Sequence, residues 1–350
     1  MSIQLICLSG TPDEIGYQHG QLLREQIHQN IDFYKSVFLI NLKDQTQILQ
    51  AARSYQESIR TFNPNFNLEI DHIALGADVT EPLWLYALNA RTELSMVGSF
   101  QECTAVVCPQ ESLIGQTWDW AEKLEEKFFL MEISLPDGHK ILQLSEAGII
   151  GKIGMNNRGL GVTLNYLYDP YIKNSTVPIH ILLRQVLECR SLDEAQNAAR
   201  RSGVGKASNL IVAQSGQAID IEFAGDLMKI HEITDQYYVH TNHCLHAKAP
   251  DNLEEEVLLN SMIRRETGIQ ILEKSSSFLP QTLMEVFSDQ SNDTKSILAK
   301  YKPDPDELFG ETGTLATIIM NLEDGIMLVR TGNPDNSTFS INDFEEHYLR

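Results

Sequence analysis

Leu23, Ile27, Ile31, Tyr34 and Phe38 fall three or four residues apart, the spacing that gathers apolar side chains on one face of a helix. Thr11-Pro12-Asp13-Glu14 marks where that helix starts. Thr11 can cap it, Pro12 suits the first helical position, and Glu14 completes a capping box. Further helical pattern covers Thr46 to Thr61 and Thr80 to Leu94, broken by Phe62-Asn63-Pro64-Asn65, so the first part of the chain reads as mostly helical. Beyond Cys103 the pattern turns to strands, at Thr104 to Cys108, Leu113 to Trp120, Phe128 to Leu135 and Lys140 to Ser145, with a turn at Pro136-Asp137-Gly138. The segment from Gly148 to Gly161 interleaves glycines with Ile149, Ile150, Ile153 and Met155, which predicts strands meeting at close turns. No Walker or dinucleotide fingerprint fits its spacing.

Val177-Pro178 opens a helix to Arg190, and Ser191-Leu192-Asp193-Glu194 is a second capping box for a helix ending near Gly203. Strands return at Asn209 to Ala213, Ala218 to Phe223, Tyr237 to Thr241, Thr314 to Asn321 and Gly325 to Arg330. Helical stretches intervene from Leu253 to Glu273 and near Leu283. The order of helices, strands, helices, strands predicts an α+β chain in which two sheets are covered by outer helices, because each apolar sheet face must be buried.

With 350 residues, 42% of them hydrophobic, the chain can bury a core without covalent staples. Its five cysteines are an odd number without repeated spacing, which argues against a disulfide framework and fits a reducing cytoplasm. Met1 to Leu8 lacks the basic segment and apolar core of a leader, and no stretch is long and apolar enough for a membrane helix. A formal charge of −21 repels phosphate backbones and anionic lipid, so nucleic acid and membrane are not expected partners, and an uncharged or cationic substrate is disfavoured least.

Candidate chemistry centres on Cys103. A cysteine opening a β-branched run, a turn at Pro109-Gln110-Glu111-Ser112, and a second strand carrying Asp119 form a hairpin able to hold sulfur and carboxylate together. Two competing readings stand beside it. His240, His243, Cys244 and His246 are a dense set of zinc-ligand types, against which stands the absence of any HExxH or CxxC motif. A conventional Cys-His pair with His243 or His240 as base is the other.

Glu102-Cys103-Thr104, Gly115-Gln116-Thr117-Trp118-Asp119-Trp120, Glu146 to Asn156, Gly161-Val162-Thr163-Leu164-Asn165 and His240-Thr241-Asn242-His243 occur in that order. They are joined by Glu14-Ile15-Gly16-Tyr17-Gln18-His19-Gly20 and Asn89-Ala90-Arg91-Thr92-Glu93. Together they resemble the acyl-coenzyme A:6-aminopenicillanic acid acyltransferase family of N-terminal nucleophile hydrolases. The resemblance implies a four-layered αββα sandwich and a precursor that cuts itself between Glu102 and Cys103. Residues 1–102 would be a helical pro-segment that stays packed as one chain, and 103–350 the catalytic core as the other. It implies Cys103 as nucleophile with its own freed α-amine as base, Asp119 orienting that amine, Asn242 as oxyanion donor and Asn165 as a second amide donor. Thr104, Gln116, Trp118, Tyr166 and His243 are placed at the substrate pocket. Gln116 stands where related bile-salt and penicillin-V hydrolases carry an arginine, so no fixed cation is assigned beside the nucleophile.

The implied activity is hydrolysis or transfer of the acyl group of small amides, such as N-acyl amines or N-acyl amino acids, or of thioesters. No metal or cofactor is expected. Coenzyme A is a candidate acyl carrier, and a homo-oligomer is left open. Glu102 replaces the glycine that precedes the nucleophile in the penicillin-forming member. A side chain there can crowd the peptide bond that must break, which keeps a silent, unprocessed relative as an alternative.

Overall fold

The computed structural model describes residues 3–95, 103–167, 173, 176–248, 255–303, 310–333 and 343–349. Glu102, one side of the expected cut, lies outside them.

The chain opens with a strand, β1 (Leu5–Ser9), followed by α1 (Pro12–Leu22), α2 (Arg24–Asn41), α3 (Gln45–Phe62), α4 (Pro64–Gly76), α5 (Leu83–Asn89) and α6 (Arg91–Ser95). The capping box forms, with the Thr11 N–H donating to Glu14 Oε2 at 2.8 Å. The five spaced apolar residues are all buried, Leu23 at the junction and the other four on α2, so the helix that starts after Thr11 ends at Leu22 instead of running through them. The break expected at Phe62-Asn63-Pro64-Asn65 is present, since α3 ends at Phe62, but a further helix, α4, starts directly after it. The Asn63 side chain accepts the Asn65 N–H at 3.1 Å and Pro64 takes the first position of α4, where its missing N–H costs nothing.

Gly16 and Gly20 explain one of the quoted motifs. A Cβ on Gly16 would lie 2.2 Å from the Glu69 carbonyl oxygen, and one on Gly20 2.3 Å from that of Ile73, so α1 lies directly on the backbone of α4. Gly20→Ala should therefore force the two helices apart and lower stability by about 1–3 kcal/mol, readable as a lower urea midpoint with unchanged slope.

Next come β2 (Ala105–Cys108), β3 (Leu113–Ala121), β4 (Phe128–Ser134), β5 (Lys140–Glu146), β6 (Gly154–Asn156), β7 (Leu160–Val162) and β8 (Asn165–Tyr166). They are followed by α7 (Ile179–Glu188) and α8 (Leu192–Arg201), then β9 (Lys206–Gln214), β10 (Gln217–Gly225), β11 (Leu227–Ile233) and β12 (Tyr238–His240). The chain closes with α9 (Glu255–Glu273), α10 (Pro280–Val286), β13 (Lys302–Pro303), β14 (Glu311–Asn321), β15 (Ile326–Thr331) and β16 (Glu345–Tyr348). One sheet runs β1-β4-β5-β6-β7-β9-β10-β11 with β8 beside β9. The other runs β12-β2-β3-β14-β15-β16 with β13 beside β14.

Helices α7 and α8 pack on the outer face of the first sheet, and α9 and α10 on that of the second. The fold is a four-layered αββα sandwich. Alternation in β2 displays the layering: Ala105 and Val107 belong to the large core, while Val106 and Cys108 join Leu272, Leu283 and Phe287 under the outer helices. The N-terminal segment is not purely helical, because β1 pairs parallel with β4 and extends the first sheet.

Candidate active site

The hairpin of β2 and β3 sets the site. Ala105 pairs with Gln116, and one step further the Thr117 N–H donates to the Thr104 carbonyl at 3.0 Å while the Thr104 N–H donates to Thr117 Oγ1 at 3.1 Å. The same register brings Cys103 level with Trp118 and next to Asp119, whose backbone N–H is turned on the Cys103 sulfur. Across from Trp118 and Asp119, the pairing with β14 skips a residue between Thr314 and Ala316. Such a bulge twists a strand locally and re-aims its side chains.

Cys103 is buried and lines a small pocket with Arg91, Thr92, Trp118, Trp120, Lys152, Ile153, Leu164 and Tyr166. Burial, and after it the Asp119 carboxylate, pushes its thiol up to about 12, and the Asp119 N–H, Arg264 and Lys152 only partly oppose this. In the uncut chain the sulfur is thus almost wholly protonated at neutral pH, and attack needs a partner to take the proton.

Beneath the pocket lies a buried charge cluster. Glu146 Oε2 receives Lys152 Nζ at 2.6 Å and Arg91 Nη2 at 2.8 Å, and Glu146 Oε1 accepts the Tyr34 hydroxyl at 2.5 Å. Trp120 Nε1 donates to the Tyr34 oxygen at 3.1 Å, and Lys152 Nζ sits 3.1 Å above the Trp118 ring centre. Burial alone would raise the Glu146 pKa, yet Arg91 and Lys152 hold it down at about 2. Burial, reinforced by the Arg91 charge, brings Lys152 down to about 7 against the pull of Glu146. Arg91 and Tyr34 come from the N-terminal helices, Glu146 and Lys152 from the sheet and the turn after it, so the two parts of the chain share this cluster.

Three amide side chains cross between the sheets. Gln116 Nε2 donates to the Leu164 carbonyl at 3.0 Å and its Oε1 accepts the Leu164 N–H at 2.6 Å. Asn165 Nδ2 donates to the His240 carbonyl at 3.0 Å, and Asn242 Nδ2 to the Tyr166 carbonyl at 3.0 Å. Asn242 Oδ1 accepts Arg264 Nη2 at 2.7 Å. A guanidinium only donates and a carbonyl only accepts, so the orientation of the Asn242 amide is unambiguous and one of its two N–H groups remains for another acceptor.

Cys103, Trp118 and Tyr166 thus meet in the pocket. Asp119 presents its backbone N–H to the sulfur, Gln116 is a brace, and Thr104 lies under Arg264. His243 lies to one side, its Nδ1 2.8 Å from Ser261 Oγ, and burial brings its pKa down to about 4. No fixed cation is assigned beside Cys103 on the strength of Gln116, yet the structure places one there. Arg264 Nη1 donates to the Cys103 carbonyl at 2.9 Å and to Thr104 Oγ1 at 3.0 Å. The cation arrives from α9 rather than from the strand position that Gln116 occupies, and nothing in the pattern of α9 singles out Arg264. Arg91, Glu146 and Lys152 were within the quoted motifs, but motif order alone gave them no role.

The four residues of the competing zinc reading, His240, His243, Cys244 and His246, do not converge on one point. The described residues group His240 with Asp220 and Glu222, their candidate ligand atoms lying within 4.8 Å of one another. These groups are engaged with protein partners: Glu222 accepts His240 Nε2 at 2.8 Å and the N–H groups of Leu245, His246 and Ala247, and Asp220 accepts the Tyr238 hydroxyl at 3.0 Å. The cluster fastens the turn that follows Asn242. A larger cavity of about 790 Å³ lies elsewhere, between α3 and the turn after α8, and its walls hold none of the motif residues.

Residues 107–336 match the family described as acyl-coenzyme A:6-aminopenicillanic acid acyl-transferase. The chain is also 30% identical over 338 residues to the acyl-coenzyme A:6-aminopenicillanic-acid-acyltransferase 40 kDa form of Emericella nidulans, covering 95% of this chain and 93% of that protein. The chain belongs to this family. Membership supports acyl-transfer or amide-hydrolysis chemistry for the molecule. Among solved structures, a variant of conjugated bile acid hydrolase from Clostridium perfringens aligns with TM-score 0.45 and 11% identity, over 71% of this chain and 97% of that one. Penicillin V acylase from Agrobacterium tumefaciens aligns with TM-score 0.41 and 12% identity, over 66% and 83%. Among the described residues no helix is long and apolar enough to cross a membrane.

Proposed function

We propose that this family member is a self-processing cysteine enzyme that hydrolyses or transfers the acyl group of small amides, with N-acyl amines and N-acyl amino acids as the substrate class. The observation that carries this reading is the placement of Cys103. Its sulfur lines the small pocket, the Asp119 N–H is directed at it, and Arg264 holds its carbonyl beside the Asn242 amide.

In the first step the Cys103 thiol attacks the carbonyl carbon of residue 102. The peptide C–N bond breaks as a C–S bond forms, and the thiol proton passes to the Cys103 nitrogen, which becomes a free amine. Water then hydrolyses the thioester, leaving a carboxylate on residue 102 and the thiol restored. The new α-amine has an ordinary pKa of about 7.7–8.0 and sits on the same residue as the sulfur, so it supplies the proton acceptor that a thiol near 12 lacks. During turnover it takes the thiol proton, passes it to the leaving amine, and the acyl group rests on sulfur until water or a second amine takes it. Coenzyme A is the candidate thiol acceptor or donor of the same acyl group.

Intact-mass measurement of the purified protein tests the first step. Two polypeptides, residues 1–102 and 103–350, are expected, and an uncut chain with full amidase activity would overturn the assignment. Asn242→Asp tests the second. The substitution keeps an acceptor for Arg264 but removes the amide N–H groups, so kcat should fall by about 10²–10³ while the variant remains folded.

A further inference from the structure

We propose that Arg264 is a positioning residue that holds the nucleophile and the oxyanion donor at a fixed separation, by binding the Cys103 carbonyl and Asn242 Oδ1 with one rigid guanidinium. The inference rests on the functional reading above and adds a residue to it.

Arg264 is fully buried on α9, and its planar fork reaches at least four acceptors. Nε donates to Asn260 Oδ1 at 2.7 Å, Nη1 to the Cys103 carbonyl at 2.9 Å and Thr104 Oγ1 at 3.0 Å, and Nη2 to Asn242 Oδ1 at 2.7 Å. Asn260, one turn away on the same helix, fixes the plane of the fork. Two consequences follow. Cleavage would turn Cys103 into a chain end, and chain ends fray unless they are tied down. Among the described residues the ties are the Thr104–Thr117 bonds, the Asp119 N–H at the sulfur and the Arg264 bond to the Cys103 carbonyl, and of these Arg264 holds the Cys103 backbone itself. The second consequence concerns the amide. With Oδ1 held by Nη2, Asn242 must present its N–H groups away from Arg264, one to Tyr166 and one for a developing oxyanion. A lysine ammonium is a compact point charge without a fork, so it can satisfy one of these acceptors but cannot span Cys103 and Asn242 at once.

The test uses the full chain, wild type and variants, with hexanoyl-p-nitroanilide as the amide probe. In Arg264→Met, kcat should fall by about 10²-fold with KM within about twofold, since a misplaced donor weakens the transition state and not the bound amide. Arg264→Lys keeps the buried charge and guards against a fold that fails without it. Folded by near-ultraviolet circular dichroism, it should recover only part of the loss. In an Asn242→Ala background either substitution should cost less than about threefold more, because residues that act through one another are not additive. Full additivity on that background, a loss confined to KM, or a folded Arg264→Lys with wild-type kcat would each overturn the clamp while leaving the Cys103 assignment intact. A wild type that is uncut and inert on the probe would sink both.

Discussion

Cys103→Ala should yield a single uncut polypeptide and lower amide turnover by at least about 10⁴-fold, because in the proposed mechanism the sulfur attacks both the precursor peptide bond and the substrate. Intact mass and a chromogenic amide assay read the two effects on the same preparation. Cys103 is one buried side chain in a large core, so the substitution should shift the unfolding midpoint little; a loss of activity with an unchanged melting profile separates chemistry from folding. Retention of even a tenth of wild-type turnover would rule the thiol out. Cys103→Ser should cut slowly or not at all, since a buried hydroxyl is a poorer nucleophile still and the pocket already disfavours the anion of a thiol.

The second large effect is on stability. Glu146→Gln removes the one carboxylate bound by both Arg91 and Lys152, leaving buried cations facing each other across a neutral amide. Breaking a buried ion cluster in this way costs about 3–5 kcal/mol, which for a chain of this size is a drop in Tm of roughly 4–7 °C. Replacing Arg91, Glu146 and Lys152 together by apolar residues should be less damaging for the fold than Glu146→Gln alone, because no uncompensated charge remains. The pH dependence follows in sign. The Glu146 pKa is depressed on folding, from 4.5 to about 2, so its contribution is complete above pH about 4.5 and is lost as pH falls toward 2. Acid titration of wild-type stability should therefore be steeper in that window than that of the triple variant.

Much of the architecture was readable from period alone. The hairpin of β2 and β3, the capping box at Thr11, the Ser191 cap, and the alternation of helical and strand layers all depend on neighbours within a few residues, where sequence spacing and spatial contact coincide. What escaped is mostly long-range pairing, with one local ambiguity. The short strand β1 gains its meaning only from β4, more than a hundred residues away, and Pro64 reads equally as a stop or as the first residue of a helix until Asn63 is seen to cap it. The site divides in the same way. Cys103 and Asp119 sit on one hairpin and could be placed together. Arg264 comes from a helix whose pattern is that of a solvent-facing cover, and only the folded chain brings it to the Cys103 carbonyl. Gln116 looked like an empty substitute for a charged residue, whereas it pairs with the Leu164 backbone as a strand would.

The cluster in which Arg91 and Tyr34 meet Glu146 and Lys152 also bears on how such proteins can be recombined. Grafting the first hundred or so residues of one relative onto the remainder of another would join halves whose interior charges were matched to different partners. A functional hybrid should arise only when all four positions travel as a set, so the seam between the halves is a poor crossover point even though the proposed cut falls there.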